Sequence, residues 1–156
     1  QKEFPRLRIL PGMELTISRE PLQHLVILGT NDPSYLELGE ARDILDKARD
    51  EGHLTILAHP CRWPGAGELL ERGLLPDALE YETCNHNPAQ ACKAKALADK
   101  YRLPLVNAGD THALSFLRRF WIETHEPVLA SGDIRELVLS GRYDNRVGKG
   151  GTIKVF

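Results

Sequence analysis

The chain has 156 residues, 42% apolar and 27% charged, with 22 acidic against 20 basic side chains and a net charge of −2. That size and balance describe one globular domain able to bury a core. They exclude nucleic-acid binding through a bulk basic footprint, and no apolar run has the length of a membrane span or the shape of a signal peptide.

The first apolar run, Leu7 to Leu10, stops at Pro11-Gly12 and resumes as Glu14-Leu15-Thr16-Ile17. A second runs from His24 to Leu28 and ends at Gly29. Leu38, Ala41, Ile44, Leu45 and Ala48 are spaced for an amphipathic helix, with Gly52 placed to cap its C-terminus. Leu54 to Ala58 reads as a buried strand ending at His59-Pro60. A short helix around Glu68 to Arg72 precedes a strand over Ala78 to Tyr81. Asn87-Pro88 pairs an N-cap residue with proline at the first helical position and starts an Ala-rich helix to Tyr101. The strand Pro104 to Asn107 closes in Ala108-Gly109-Asp110. Phe120 to Thr124, a helix from about Gly132 to Leu139 and a terminal strand over Thr152 to Phe156 complete the chain. The alternation of short Leu/Ile/Val runs with helical patterns is the rhythm of a mostly parallel α/β sheet.

Cys61, Cys84 and Cys92 are odd in number and form no C-x-x-C pair. This argues against a disulfide framework and for a reducing, cytoplasmic setting. The chain begins at Gln1 and not Met, which reads as a processed, trimmed or partial product of a longer protein.

Groups that bind metals recur at or just beyond strand ends: Glu14 after the first run, His24 opening the second, His59 after Leu54 to Ala58, and Asp110 with His112 after Leu105 to Ala108. In an α/β barrel such ends converge on one face, where the chemistry is done. Imidazole with carboxylate suits Zn, Mn or Fe. The alternation in Asp110-Thr111-His112 puts both side chains on one side of an extended segment. Each residue alone has a structural explanation; the set is what carries weight. His53, His86 and His125 read as structural or solvent-exposed, and a zinc site of Cys61, Cys84 and His86 fits no common spacing.

Four stretches resemble the PHP (polymerase and histidinol phosphatase) domain of metal-dependent phosphoesterases. Pro11-Gly12-Met13-Glu14 is similar to its second motif, and His24 to Gly29 to the histidine-led strand that follows. Ala58-His59-Pro60 resembles the third motif and Gly109-Asp110-Thr111-His112 the fourth. Asp77-Ala78-Leu79-Glu80 and Ser131 to Arg142 resemble two further family segments, in the family's order. The resemblance implies that residues 1–156 form the C-terminal two-thirds to three-quarters of a distorted (β/α)7 barrel, incomplete at its N-terminus, because the family's first motif, His-x-His, is absent. It implies up to three divalent ions (Zn, Mn or Fe), with Glu14 as the bridging carboxylate. His24 and His59 would complete one position, with Asp110 and His112 serving the others.

The function so implied is hydrolysis of a small phosphorylated substrate, with Glu14 and Asp110 at the reacting centre and Arg62 placed to reach an anion. Two other readings stand beside it: a metal-poor scaffold or binding domain, and a metal-dependent amide hydrolase. An incomplete barrel would expose sheet edges, which implies protection by an oligomeric partner or by a missing N-terminal segment.

Overall fold

In the computed structural model, which describes residues 7–148, five strands form one mixed sheet in the order β1-β2-β3-β4-β5. These are β1 (Gly12–Arg19), β2 (Leu22–Leu28), β3 (Leu54–Ala58), β4 (Ala78–Glu80) and β5 (Leu105–Val106). Helices α1 (Ala41–Asp50), α2 (Ala66–Glu71) and α3 (Pro88–Tyr101) lie between them in sequence. A two-stranded ribbon, β6 (Phe120–Thr124) with β7 (Tyr143–Val147), brackets α4 (Ser131–Leu139).

Only two residues join β1 to β2, so these strands must pair antiparallel, and β2 pairs antiparallel with β3 as well. The β3-β4 and β4-β5 crossovers each contain a helix, and both pairs are parallel. Strand polarity therefore brings the C-terminal ends of β3, β4 and β5 and the N-terminal end of β2 to one edge.

The expected seven-stranded barrel is not formed. The sheet is open among the described residues, with β1 and β5 at its edges. Two physical reasons account for this: the antiparallel β1-β2-β3 half breaks the parallel rhythm, and 156 residues are too few for such a barrel, eight-fold examples of which take about 250. The first expected strand is also corrected, because residues 7–11 carry no regular structure and pairing with β2 starts at Gly12. β7 was not anticipated, and the expected strand over Thr152 to Phe156 lies outside the described residues.

Alternation along the strands builds two cores. Leu15, Leu25, Ile27, Leu57 and Leu79 face one side and pack with Ile44, Leu45 and Ala48 of α1, Leu69 and Leu70 of α2, and Ala98 of α3. Leu54, Ile56, Ala78 and Val106 face the other side and meet Ile134 and Val138 of α4. Each fully buried Leu or Ile contributes about 1.5–3 kcal/mol. The signals at α3 act as its sequence predicts: Asn87 caps the helix, Gln90 returns the bond, and Pro88 opens the first turn.

The second core is fastened by one polar knot. Asp77, just before β4, accepts from the Thr55 N–H and hydroxyl of β3, and receives the Arg135 guanidinium of α4 through Nε at 3.2 Å and Nη2 at 2.9 Å. The edge strand β5 is covered by β7 side chains: the Tyr143 hydroxyl and the Asn145 amide both donate to the Leu105 carbonyl, at 2.7 and 2.8 Å. Replacing Asp77 by Ala leaves a Thr55 N–H and an arginine without their acceptor. Urea denaturation of Asp77→Ala should show a loss of about 2–4 kcal/mol, larger than for any of the exposed i,i+4 pairs.

Candidate metal centre

Register places the first two ligands. Thr16 lies opposite His24 and Glu14 opposite Val26, so Glu14 and His24 are diagonal neighbours on the α4-side face of the β1-β2 pair. His24 also pairs with Ala58, the last residue of β3. An extended backbone at His59 would send its side chain to the opposite face. Instead His59 has φ of 30°, a left-handed conformation that costs a non-glycine residue roughly 1–3 kcal/mol. This breaks the alternation and turns the imidazole back beside His24.

Three ligand atoms converge as a result. Glu14 Oε1 is 2.9 Å from His24 Nδ1 and 3.5 Å from His59 Nε2, and the two ring nitrogens are 3.3 Å apart. Nitrogen and oxygen ligands held at ~2.1 Å by a tetrahedral ion stand about 3.4 Å from one another. The three observed edges average close to that, so the donor set fits a small divalent cation in both chemistry and size.

His59 is 4% exposed and held neutral more readily than a free imidazole, chiefly because burial disfavours its charge, although Asp110 opposes this. A neutral imidazole is the form that binds metal. Its backbone N–H donates to a carboxylate oxygen of Glu80, the last residue of β4, which is 3% exposed. Burial, reinforced by the charges of Asp110 and Glu14, pushes the Glu80 carboxyl up to about 8 against hydrogen bonds from His59 and Thr83. Glu80 thus grips the strained residue from inside the sheet.

Asp110 sits beside the cluster and not within it. Its Oδ2 is 4.0 Å from His59 Nε2 and accepts from the Asn85 amide, and its own φ of 38° is again left-handed. His112 reaches Asp110 Oδ1 at 3.0 Å, but its side chain is 72% exposed and does not join the three. Arg62 lies over the Trp63 ring, 4.5 Å from its centroid. That ring stands edge-on to both His24 and His59, at 5.6 and 5.1 Å between centroids.

The remaining histidines have structural partners. His86 braces the loop after β3, accepting from the Cys61 N–H at 3.4 Å and bonding the Tyr81 carbonyl at 2.7 Å. His53 neighbours Glu51, His125 neighbours Asp144, and all three cysteines are free thiols. Glu80, Trp63 and Asn85 are the site residues that sequence reasoning did not assign. The available signal for Glu80 was a carboxylate ending an apolar strand, where burial is expected on both faces.

In metal-free protein the folded chain keeps a proton on Glu80 up to about 8, whereas an unfolded glutamate releases it near 4.5. Glu80 then binds more protons in the folded state across that window, so its contribution to stability falls as pH rises from about 4.5 to about 8, while His59, held neutral by burial, acts in the opposite sense. Chemical denaturation across this range should show that contribution as the difference between the wild type and a Glu80 variant. Glu80→Gln keeps an acceptor for the His59 N–H, and the stability of the wild type relative to it should decline as pH rises from about 4.5 to about 8.

No protein-family model and no curated protein matches the chain. Glu14, His24 and His59 form a group able to hold a metal ion, and no helix among the described residues is long and apolar enough to cross a membrane.

Proposed function

We propose that the chain is a metal-dependent hydrolase of phosphate esters. The observation that carries this reading is the convergence of Glu14, His24 and His59, from β1, β2 and the end of β3, with separations that suit one small divalent ion. The ordered resemblance to phosphoesterase motifs supports the same chemistry. Two imidazoles and a carboxylate suit Zn, Mn or Fe. A cation held there would supply Lewis-acid polarisation of a phosphoryl oxygen and acidify water at the site.

The chain's own residues have distinct parts in this reading. Glu14, His24 and His59 hold the ion, and Glu80 fixes the backbone that aims His59. Asp110 offers a carboxylate oxygen 4.0 Å from His59 Nε2, fixed by Asn85, which orients the attacking water and accepts its proton. His112, bonded to Asp110 and open to solvent, carries that proton away.

Elemental analysis of protein purified without chelator tests the ligand set. One tightly held equivalent of Zn, Mn or Fe is expected, with affinity reduced more than about 100-fold in Glu14→Ala and His59→Ala. Folded wild-type protein that takes up no added metal would move the assignment to a scaffold role. Asp110→Ala should keep the ion but lose about 100-fold or more in kcat on phosphate monoesters. Unchanged hydrolysis in that variant would remove Asp110 from the reaction.

A further inference from the structure

Beside the metal centre runs a groove of about 760 Å3, between residues 60–67 and one face of α3. Trp63 belongs to both places: it lines the groove, and its ring lies edge-on to His24 and His59. The charge of the groove is one-sided. Arg62, Lys93 and Lys100 line it and no Asp or Glu does, although the chain as a whole has more acidic than basic residues. Lys100 is engaged by Glu71 at 3.1 Å. Arg62 rests on the Trp63 ring, and neither it nor Lys93 enters an ion pair among the described residues. Pro60, Pro64 and Leu97 add apolar lining.

A groove with apolar lining, two uncompensated cations and no carboxylate favours an anionic organic ligand. Trp63, which lines the groove and stands edge-on to His24 and His59, is the side chain the two places share. We infer that the groove binds the leaving-group portion of the substrate, and that this portion carries a second phosphate recognised by Arg62 and Lys93. The substrate class is therefore a small organic molecule bearing two phosphate groups, one at the metal centre and one in the groove. Binding energy realised on the second phosphate positions the first for attack. This inference deepens the phosphoesterase reading and rests on it for the reaction, but the anion site itself requires neither metal nor hydrolysis.

The test separates the two. In a Trp121→Phe background, Trp63 is the sole tryptophan and reports directly on the groove. Metal-free protein is titrated with inorganic tripolyphosphate and followed by Trp63 emission and by calorimetry. Saturable binding is expected, weakening with salt, with Kd raised at least tenfold in the Arg62→Ser/Lys93→Ser variant and not in Lys95→Ser, an exposed cation of α3 outside the groove. The serine substitutions all fall on exposed residues, so circular dichroism and Tm should match the parent.

No saturable binding, equal binding in the double variant, or loss caused by His24→Ala but not by the double variant would each overturn the groove assignment. With the metal-loaded chain, the double variant should raise KM for a bisphosphorylated sugar at least tenfold, and far more than for 4-nitrophenyl phosphate. An equal rise for both substrates would overturn the second-phosphate assignment. Tripolyphosphate binding as expected, in a chain that hydrolyses neither ester, would leave the anion site standing and remove the phosphoesterase reading.

Discussion

The end of β3 is the point on which both fold and site depend. All five residues of this strand are buried, because it lies between the antiparallel and parallel halves of the sheet with a core on either face. A strand so enclosed has no freedom to slip, since a one-residue shift would exchange Leu54 and Ile56 with Thr55 and Leu57 between the two cores. That rigidity allows the next residue, His59, to hold a left-handed conformation that an isolated peptide would avoid. The grip of Glu80 on the His59 N–H and the diagonal pairing of Glu14 with His24 then place three ligand atoms around one point.

The electrostatics of the site follow from burial in the same way. Glu14, Glu80 and Asp110 bring three carboxyl groups to one sheet edge, and the charges of Glu14 and Asp110 both raise the Glu80 proton affinity. The site meets this crowding by keeping the buried Glu80 carboxyl protonated, and a cation held by Glu14 would relieve it further. The left-handed residues at His59 and Asp110 belong to the same pattern, in which local strain is carried where side chains must be aimed and the surrounding packing sustains it. Trp63 and the cationic groove next to it extend this edge into a larger surface of opposite sign.

An open sheet needs its edges managed, and the two edges differ. β5 is only two residues long and is capped by Tyr143 and Asn145 of β7, so the ribbon acts as a polar seal where a further barrel strand would otherwise pair. Asn107 joins the seal by donating its backbone N–H to Asn145 and its side-chain amide to Glu82 and the Arg146 carbonyl. At the other edge β1 pairs only with β2 among the described residues. α4 is held between ribbon and sheet by Ile134, Val138 and the Asp77–Arg135 fork, which ties the last third of the chain to the β3-β4 pair.

Local signals in the sequence were enough to locate most elements. The alternation His24 to Leu28, the apolar run Leu54 to Ala58, the helical spacing through Ala48 and the Asn87-Pro88 start all act within a few residues, and local propensity decides them. The ligand types were legible too, since Glu14, His24 and His59 each stand on or beside a strand. Strand polarity and closure were not legible. A run of Leu, Ile and Val reads alike in a parallel, an antiparallel or a barrel strand, so the open mixed sheet was settled by the two-residue β1-β2 link and by which partners each strand found. The same holds for Glu80 and for the separation of His112 from the cluster: burial and backbone handedness arise only when distant segments pack. Sequence alone determined which chemical groups were available and where along the chain they stood. Tertiary structure decided which of them meet, because that depends on register, on the turn at His59 and on the free energy of burying a carboxyl beneath it.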